Sequence, residues 1–246
     1  MNLVDPLPGD LRREQAASWP SATSRVRHSG PHLQPSTLVY LARHGQTESN
    51  LLGRYAGYNT EPITDAGRDQ MSALAARLQP CAVGEIWTSE VLRARESADL
   101  VGGLLGVPVR TDERLNEMQL GPWEGMTEAE VAQAFPTAYE LWCTLPDRLT
   151  LDGRETLAAL CVRVTATLAD AARMRHPVLL MSHVAPIRVA VLSVLGLPLS
   201  QYKRLHLGNG DGVVIDRGKA EARRVGEDRS LQHEFPVSGP DSAALA

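Results

Sequence analysis

The sequence predicts an α/β protein: a mostly parallel central sheet with helices on both faces, in a single domain with a small helical lid. Three observations carry that expectation. From residue 37 onward, short apolar runs alternate with helical patterns, the signature of a sheet covered by helices. Two of the runs, Leu38 to Ala42 and Val178 to Met181, are uninterrupted and of strand length, which suits strands buried on both faces. Both runs stop abruptly at a polar cluster containing a histidine, Arg43-His44-Gly45 in one case and Ser182-His183 in the other. In open α/β sheets, ligands bind outside the carboxyl ends of the strands.

The elements follow in order. Residues 1–36 are rich in Pro, Ser, Arg and Gly without a sustained period, and are expected to form a mobile N-terminal extension, with at most a short helix near Asp10 to Ser18. After the first strand and its Arg-His-Gly loop, Thr64 is placed to cap a helix through Leu78, with Met71, Leu74, Ala75 and Leu78 on one face. Ile86-Trp87-Thr88 reads as a short strand, and Ser89 as the start of a helix that stops at Gly106 and Pro108. Arg110 to Gly125 reads as loop. Thr127-x-x-Glu130 is a capping-box pattern opening a short helix that ends before Pro136, and a second piece spans Tyr139 to Leu145; together they predict the lid. Leu157, Leu160, Cys161, Val164 and Leu168 define a long amphipathic helix leading to the second strand. Ala185 to Leu195 reads as a buried helix, and Gly212 to Asp216 with Ala222 to Val225 as a terminal hairpin. The polar stretch 226–246 is expected to be a disordered tail.

Composition narrows the function. The chain has 246 residues, 25 basic and 29 acidic, for a formal charge of −4, which argues against a general nucleic-acid-binding surface. Cys81, Cys143 and Cys161 are odd in number and lack CxxC spacing, so neither a disulfide framework nor a zinc site is indicated. The apolar stretch from Val189 to Leu199 is too short to span a bilayer and is broken by Gly196 and Pro198. Residues 1–36 lack a signal-peptide apolar region. A cytoplasmic protein with no membrane partner and no cofactor is the expectation.

Arginine beside histidine at a strand end points to phosphoryl chemistry. The planar guanidinium matches phosphate oxygens, and a neutral imidazole is a competent nucleophile near neutral pH. Gly45 is expected to let the backbone approach an anion.

Further blocks recur in order: Arg43-His44-Gly45-Gln46-Thr47 with Asn50, Pro62-Ile63-Thr64 with Gly67 and Gln70, and Ser89-x-x-x-Arg93-Ala94. They continue through Glu113-Arg114-Leu115-x-Glu117 and Gly121-x-Trp123-Glu124-Gly125 to Ser182-His183. Together they resemble the histidine phosphatase superfamily, in its phosphoglycerate-mutase-like branch, over about residues 37–225. The resemblance implies a metal-independent, acid-type phosphatase, a phosphoric monoester hydrolase acting on a small phosphorylated metabolite. His44 would attack phosphorus and form a phosphohistidine. Arg43, Arg93 and His183 would clamp the transferring phosphoryl group. Asn50 would add a neutral donor, and Glu117, in competition with Glu113 and Glu124, would act as general acid and base.

The chain departs from the family in three places. Val184-Ala185-Pro186 stands where glycines usually follow the second histidine, so the backbone donors there, Val184 included, are expected to be arranged differently. Ser89-Glu90 replaces Ser-Pro. Gly153-Arg154-Glu155-Thr156 replaces Gly-Gly-Glu-Ser, which makes Arg154 a candidate substrate contact. Arg54, Tyr55 and Trp123 are candidate contacts to the leaving group. The loop Gly57 to Pro62 faintly resembles that of the α-ribazole phosphatases.

The phosphatase reading is preferred because the Leu-x-Glu-x-x-x-Gly-x-Trp-Glu-Gly pattern resembles phosphatase-like members and the segment from Glu117 to Glu155 is short. A phosphoglycerate-type mutase and an inactive phosphate-binding module are the alternatives, and a homodimer is one expectation for its assembly.

Overall fold

The computed structural model describes residues 36–235. The predicted N-terminal extension, its short helix and the last residues of the tail lie outside that range. A six-stranded sheet has the order β3-β2-β4-β1-β5-β6, from β1 (Leu38–Arg43), β2 (Glu85–Thr88), β3 (Val109–Thr111), β4 (Val178–Ser182), β5 (Gly212–Asp216) and β6 (Glu221–Arg224). The first four are mutually parallel, and β5 and β6 add an antiparallel edge. The sheet is mostly parallel, as expected.

The continuous apolar strands bury both faces. On β1, Tyr40 and Ala42 join Met71, Leu74, Ala98, Val101, Leu179 and Met181 in one cluster, beneath α2 (Asp65–Leu78) and α3 (Leu92–Leu105). Val39 and Leu41 face the other way with Leu160, Val164, Leu168, Leu180 and Ile187, beneath α6 (Leu157–Ala171) and α7 (Val184–Val194). That division is the period-two alternation of a strand between two helical layers.

β4 sits between β2 and β1, although it follows both in the chain. The register pairs Arg43 with Ser182, so His44 and His183 leave the sheet side by side at the carboxyl ends of neighbouring strands. This is where a crevice opens in doubly wound sheets.

Local chemistry explains most boundaries. Thr64 accepts from the Gly67 amide and caps α2. Thr127 and Glu130 form the reciprocal capping box that starts α4 (Glu128–Ala134). Several boundaries differ from expectation. The helix after β2 starts at Leu92 rather than Ser89, because the Ser89 hydroxyl is engaged elsewhere. The second lid helix, α5, spans Pro136–Thr144 and begins earlier than expected, since Pro at a first helical position loses no bond. β3 was read as loop; three residues on a sheet edge carry too little pattern to announce a strand. Chain order also continues beyond 225: Leu231 and Phe235 are buried in the core, so the expected tail starts too early. The lid is firmly seated, with Val131 and Trp142 buried. Among the described residues, no helix is long and apolar enough to cross a membrane.

Candidate active site

His44 is held in one tautomer. Its Nδ1 lies 2.7 Å from the Gly45 carbonyl, an oxygen that only accepts, so Nδ1 carries the proton. Nε2 therefore presents its lone pair, toward which Arg93 Nε donates at 3.1 Å. Burial, then the charges of Arg93 and Arg43, push the His44 pKa well below the usual histidine value. The result is a neutral imidazole whose Nε2 lone pair accepts from a fixed cation.

Arg93 is 1% exposed despite Glu90 and Glu96 in helical reach. Its Nη1 donates to Asn59 Oδ1 at 2.9 Å, and its Nη2 to the carbonyls of Ala56 and Gly57 at 2.9 and 2.8 Å. The loop that supplies those acceptors is itself pinned, because Glu124 Oε1 accepts from the Gly57 amide at 2.8 Å. Glu124 thus fixes the arginine's cradle. Glu61 accepts from the Ser49 amide and from Asn59, tightening the same loop.

His183 stands 5.0 Å from His44, centroid to centroid, and is fully buried. Its Nε2 lies 2.8 Å from Ser89 Oγ. That hydroxyl donates to Asn116 Oδ1 at 2.9 Å and accepts from the Val91 amide at 3.1 Å, so His183 is the donor to it. Its Nδ1 has no partner among the described residues. Burial lowers its pKa well below the usual value, with Arg93, His44 and Arg43 adding to the shift.

Glu117 is 6% exposed. Burial raises its pKa, opposed by the Met118 amide at 2.8 Å and by Arg93, Arg43 and Arg163. Of the three competing glutamates, only Glu117 has both burial and this cationic company. Arg43 reaches back to the Leu207 carbonyl at 2.7 Å through Nη1, while its buried Nε has no partner among the described residues.

Five of the sequence-predicted residues, Arg43, His44, Arg93, Glu117 and His183, are thereby brought into mutual electrostatic reach. Asn50 sits beside them: its Oδ1 accepts from Thr47 N and Asn209 Nδ2, which turns its own NH₂ away from those contacts. Val184 is the first residue of α7, and its amide has no acceptor among the described residues. Pro186, in the first turn, costs the helix no hydrogen bond.

Two expectations need correction, those for Gly45 and Trp123, while Arg54 and Tyr55 gain structural contacts. The Gly45 amide donates to Ser97 Oγ at 3.0 Å and is not available to an anion. Glycine is required there because a Cβ would lie 2.6 Å from the Gly67 carbonyl oxygen. Arg54 turns Nη1 to the Gly125 carbonyl and Glu130, which ties the loop to the lid. Tyr55 packs on Trp123, 5.9 Å between rings, and Trp123 is fully buried, so Trp123 is a core residue and not a leaving-group contact.

Arg154 is 7% exposed and lies over the Trp123 and Trp142 rings, 4.9 and 4.2 Å from their centroids. Its Nε and Nη2 have no partner among the described residues, an omission worth about 1–3 kcal/mol per donor.

Asn59, Asn116, Asn209 and Ser97 escaped assignment from sequence. Each supports a predicted residue from a distant point in the chain, and only the interval Ser89 to Asn116 carried a hint, since both flank named blocks. Among the described residues, no three His, Cys, Asp or Glu stand close enough to hold a metal ion.

Comparison with known proteins agrees with this geometry. The chain is 29% identical over 180 residues to phosphoserine phosphatase 1 of Hydrogenobacter thermophilus, covering 72% of this chain and 85% of that one. It is 31% identical over 185 residues to a protein named probable phosphoglycerate mutase GpmB from Enterobacter sp. strain 638, covering 72% and 84%. The solved structure of Bacillus stearothermophilus YhfR superposes with a TM-score of 0.67 at 28% identity, over 72% of this chain and 90% of that one. A family model described as histidine phosphatase superfamily (branch 1) matches residues 39–227, and with His44 and His183 at the ends of β1 and β4, Arg43 beside His44 and Arg93 on α3, the chain belongs to that superfamily.

Proposed function

We propose that this protein is a phosphomonoesterase that hydrolyses a small phosphorylated metabolite through a phosphohistidine on His44. The observation that supports this reading best is the His44 imidazole, neutral, with Nδ1–H tied to a carbonyl and Nε2 facing Arg93. In the first step the Nε2 lone pair leaves the Arg93 Nε–H and forms a bond to phosphorus as the bond from phosphorus to the ester oxygen breaks, and Glu117 gives its proton to that oxygen. In the second, Glu117 as carboxylate takes a proton from water, the water oxygen bonds to phosphorus, and the N–P bond returns its electrons to Nε2. Arg43 and Arg93 supply the positive charge for the phosphoryl oxygens in both steps, with Asn50 and the Val184 amide as neutral donors. A dianion beside His183 Nδ1 favours a proton on that nitrogen, which makes it a third cationic donor.

The raised pKa of Glu117 suits the acid role, and the phosphatase name of the Hydrogenobacter relative supports hydrolysis over transfer. The test is a panel of phosphomonoesters assayed with excess EDTA, with acid and alkaline quenching of the enzyme after exposure to labelled substrate. Turnover with an acid-labile, alkali-stable phosphoenzyme is expected. Activity that disappears in EDTA and returns with magnesium would overturn the metal-independent scheme. Net interconversion of 2- and 3-phosphoglycerate without phosphate release would replace hydrolysis by the mutase reading.

A further inference from the structure

Arg154 follows a close backbone approach between two glycines: a Cβ on Gly121 would lie 2.8 Å from the Gly153 carbonyl carbon and 2.9 Å from the Arg154 amide nitrogen. Both glycines have positive φ, 58° and 72°, and Leu120 and Arg154 form an isolated antiparallel bridge. The backbone is thus locked before the side chain begins. The guanidinium lies against two indole faces and is more than nine-tenths buried. Stacking uses the face of the guanidinium and leaves its edges unspent.

The two nitrogens without partners, Nε and Nη2, belong to the same edge. Their N–H bonds run parallel, in the fork that matches two oxygens of a carboxylate or phosphate. Arg154 lines a cleft of about 750 Å³ with Arg114 and Arg163, the carboxylates Glu90, Glu113 and Glu155, and the neutral Asn116 and Tyr58. The cleft adjoins the reaction centre: Asn116 holds Ser89 beside His183, and Tyr58 follows the glycine whose carbonyl receives Arg93. The other arginines of this cleft are already paired with carboxylates. Arg114 pairs with Asp112 and Asp170, and Arg163 with Glu155 and the carbonyls of Arg114, Asn116 and Glu117.

Resting on the phosphomonoesterase reading, we infer that Arg154 receives a second anionic group of the substrate, a carboxylate or a second phosphate at the end remote from the transferred phosphoryl group. The preferred substrate class is then a doubly anionic phosphomonoester. The receiving edge is out of water in this arrangement, so ligand binding goes with a rearrangement of the side chains that cover it.

The experiment compares kcat/KM of the full-length protein and its Arg154→Met and Arg154→Lys variants on four substrates. 3-Phosphoglycerate carries a carboxylate, 1,3-propanediol bisphosphate a second phosphate, glycerol 3-phosphate a neutral end, and p-nitrophenyl phosphate an aromatic leaving group. Arg154→Met is expected to lower kcat/KM about 10²-fold on whichever doubly anionic substrate fits, the scale of hydrogen bonds to charged groups, mainly through KM. The two substrates without a second anion should change by less than about twofold on the same scale. Arg154→Lys keeps charge without the fork and should lose about tenfold, with the same selectivity. Thermal unfolding of each variant accompanies the kinetics. Equal losses on all four substrates, or a lowered unfolding temperature with unchanged substrate ratios, would mean that Arg154 only clamps Trp123 to Trp142, and would overturn the inference. Calorimetric titration of a His44→Asn protein with 3-phosphoglycerate and glycerol 3-phosphate reads the same preference without turnover. A wild-type enzyme that hydrolyses p-nitrophenyl phosphate without preferring doubly anionic substrates in either assay refutes the Arg154 assignment alone. Failure to hydrolyse any of the four refutes the phosphatase reading, and the titration still decides the binding role.

Discussion

His44 and His183 occupy equivalent places, one residue beyond the ends of adjacent parallel strands in matching register, yet they are prepared for different tasks. His44 has its Nδ1 proton fixed by its neighbour's carbonyl and turns a lone pair toward Arg93. His183 has its Nε2 proton fixed by Ser89, with Nδ1 unmet. Both are buried and both are held neutral at rest by burial and the nearby arginines. The strand end therefore supplies position only. Which nitrogen faces the substrate, and so whether the ring attacks or donates, is decided by the group that engages the other nitrogen.

The largest expected effect on this contrast is from His44→Ala, which should abolish turnover on every substrate together with the phosphoenzyme, as read by rapid quench. Retained phosphoenzyme in that variant would transfer the nucleophile's role to His183 and collapse the distinction. Next comes Glu117→Gln, which leaves both rings in place and removes the proton donor. It should slow phosphorylation by alkyl phosphates about 10²- to 10⁴-fold but p-nitrophenyl phosphate far less, because a good leaving anion needs no proton. Equal losses in single-turnover rates would reduce Glu117 to a positioning group and turn attention to Glu113.

His183→Gln should cost about 10²- to 10³-fold in kcat, the scale of one donor to a transition-state anion, while the phosphoenzyme still forms. Smaller again is Ser89→Ala, which removes the partner of Nε2 and frees the ring to change tautomer. A net hydrogen bond of about 1 kcal/mol translates into roughly a fivefold to tenfold loss, accompanied by a changed acid limb of the pH profile. An unchanged profile would show that Ser89 does not set the His183 tautomer.

The smallest effect is on stability. The native pKa values of both histidines are depressed, so below about 6.5 the unfolded chain binds protons that the native chain refuses. Their contribution is present above that value and is lost as pH falls toward the native pKa values. Glu117 has the opposite sign: its native pKa is raised, so the stability linked to its proton is present below the ordinary carboxyl range and is lost as pH rises through the native value. Urea midpoints between about pH 4 and 8 should show His183→Gln flattening the acid-side loss and Glu117→Gln flattening the decline above the carboxyl range.

The sheet with its two helical layers is legible in the chain before folding, because uninterrupted apolar runs and amphipathic periods are local signals. The sequence also placed His44, Arg93, Glu117 and His183 through ordered blocks, each anchored to a strand end or a helix. The tertiary structure alone decided what those blocks do to one another. Ser89, read as a helix start, lies 94 residues from the histidine it binds. Asn209 reaches Asn50 across 159 residues. Gly45, expected to bare a backbone amide to an anion, is instead a contact point between a loop and α2, with its amide given to Ser97. Arg54 and Arg154 are both candidate contacts in the sequence, and only the folded neighbourhood separates them: Arg54 turns Nη1 to the lid, whereas Arg154 retains an open edge. Hydrogen bonds are short and directional, and partners far apart in the chain meet only when the sheet order brings them together. Periodicity can therefore announce a strand and a motif can name a nucleophile, but the tautomer of a ring and the unspent edge of a guanidinium are properties of the folded neighbourhood.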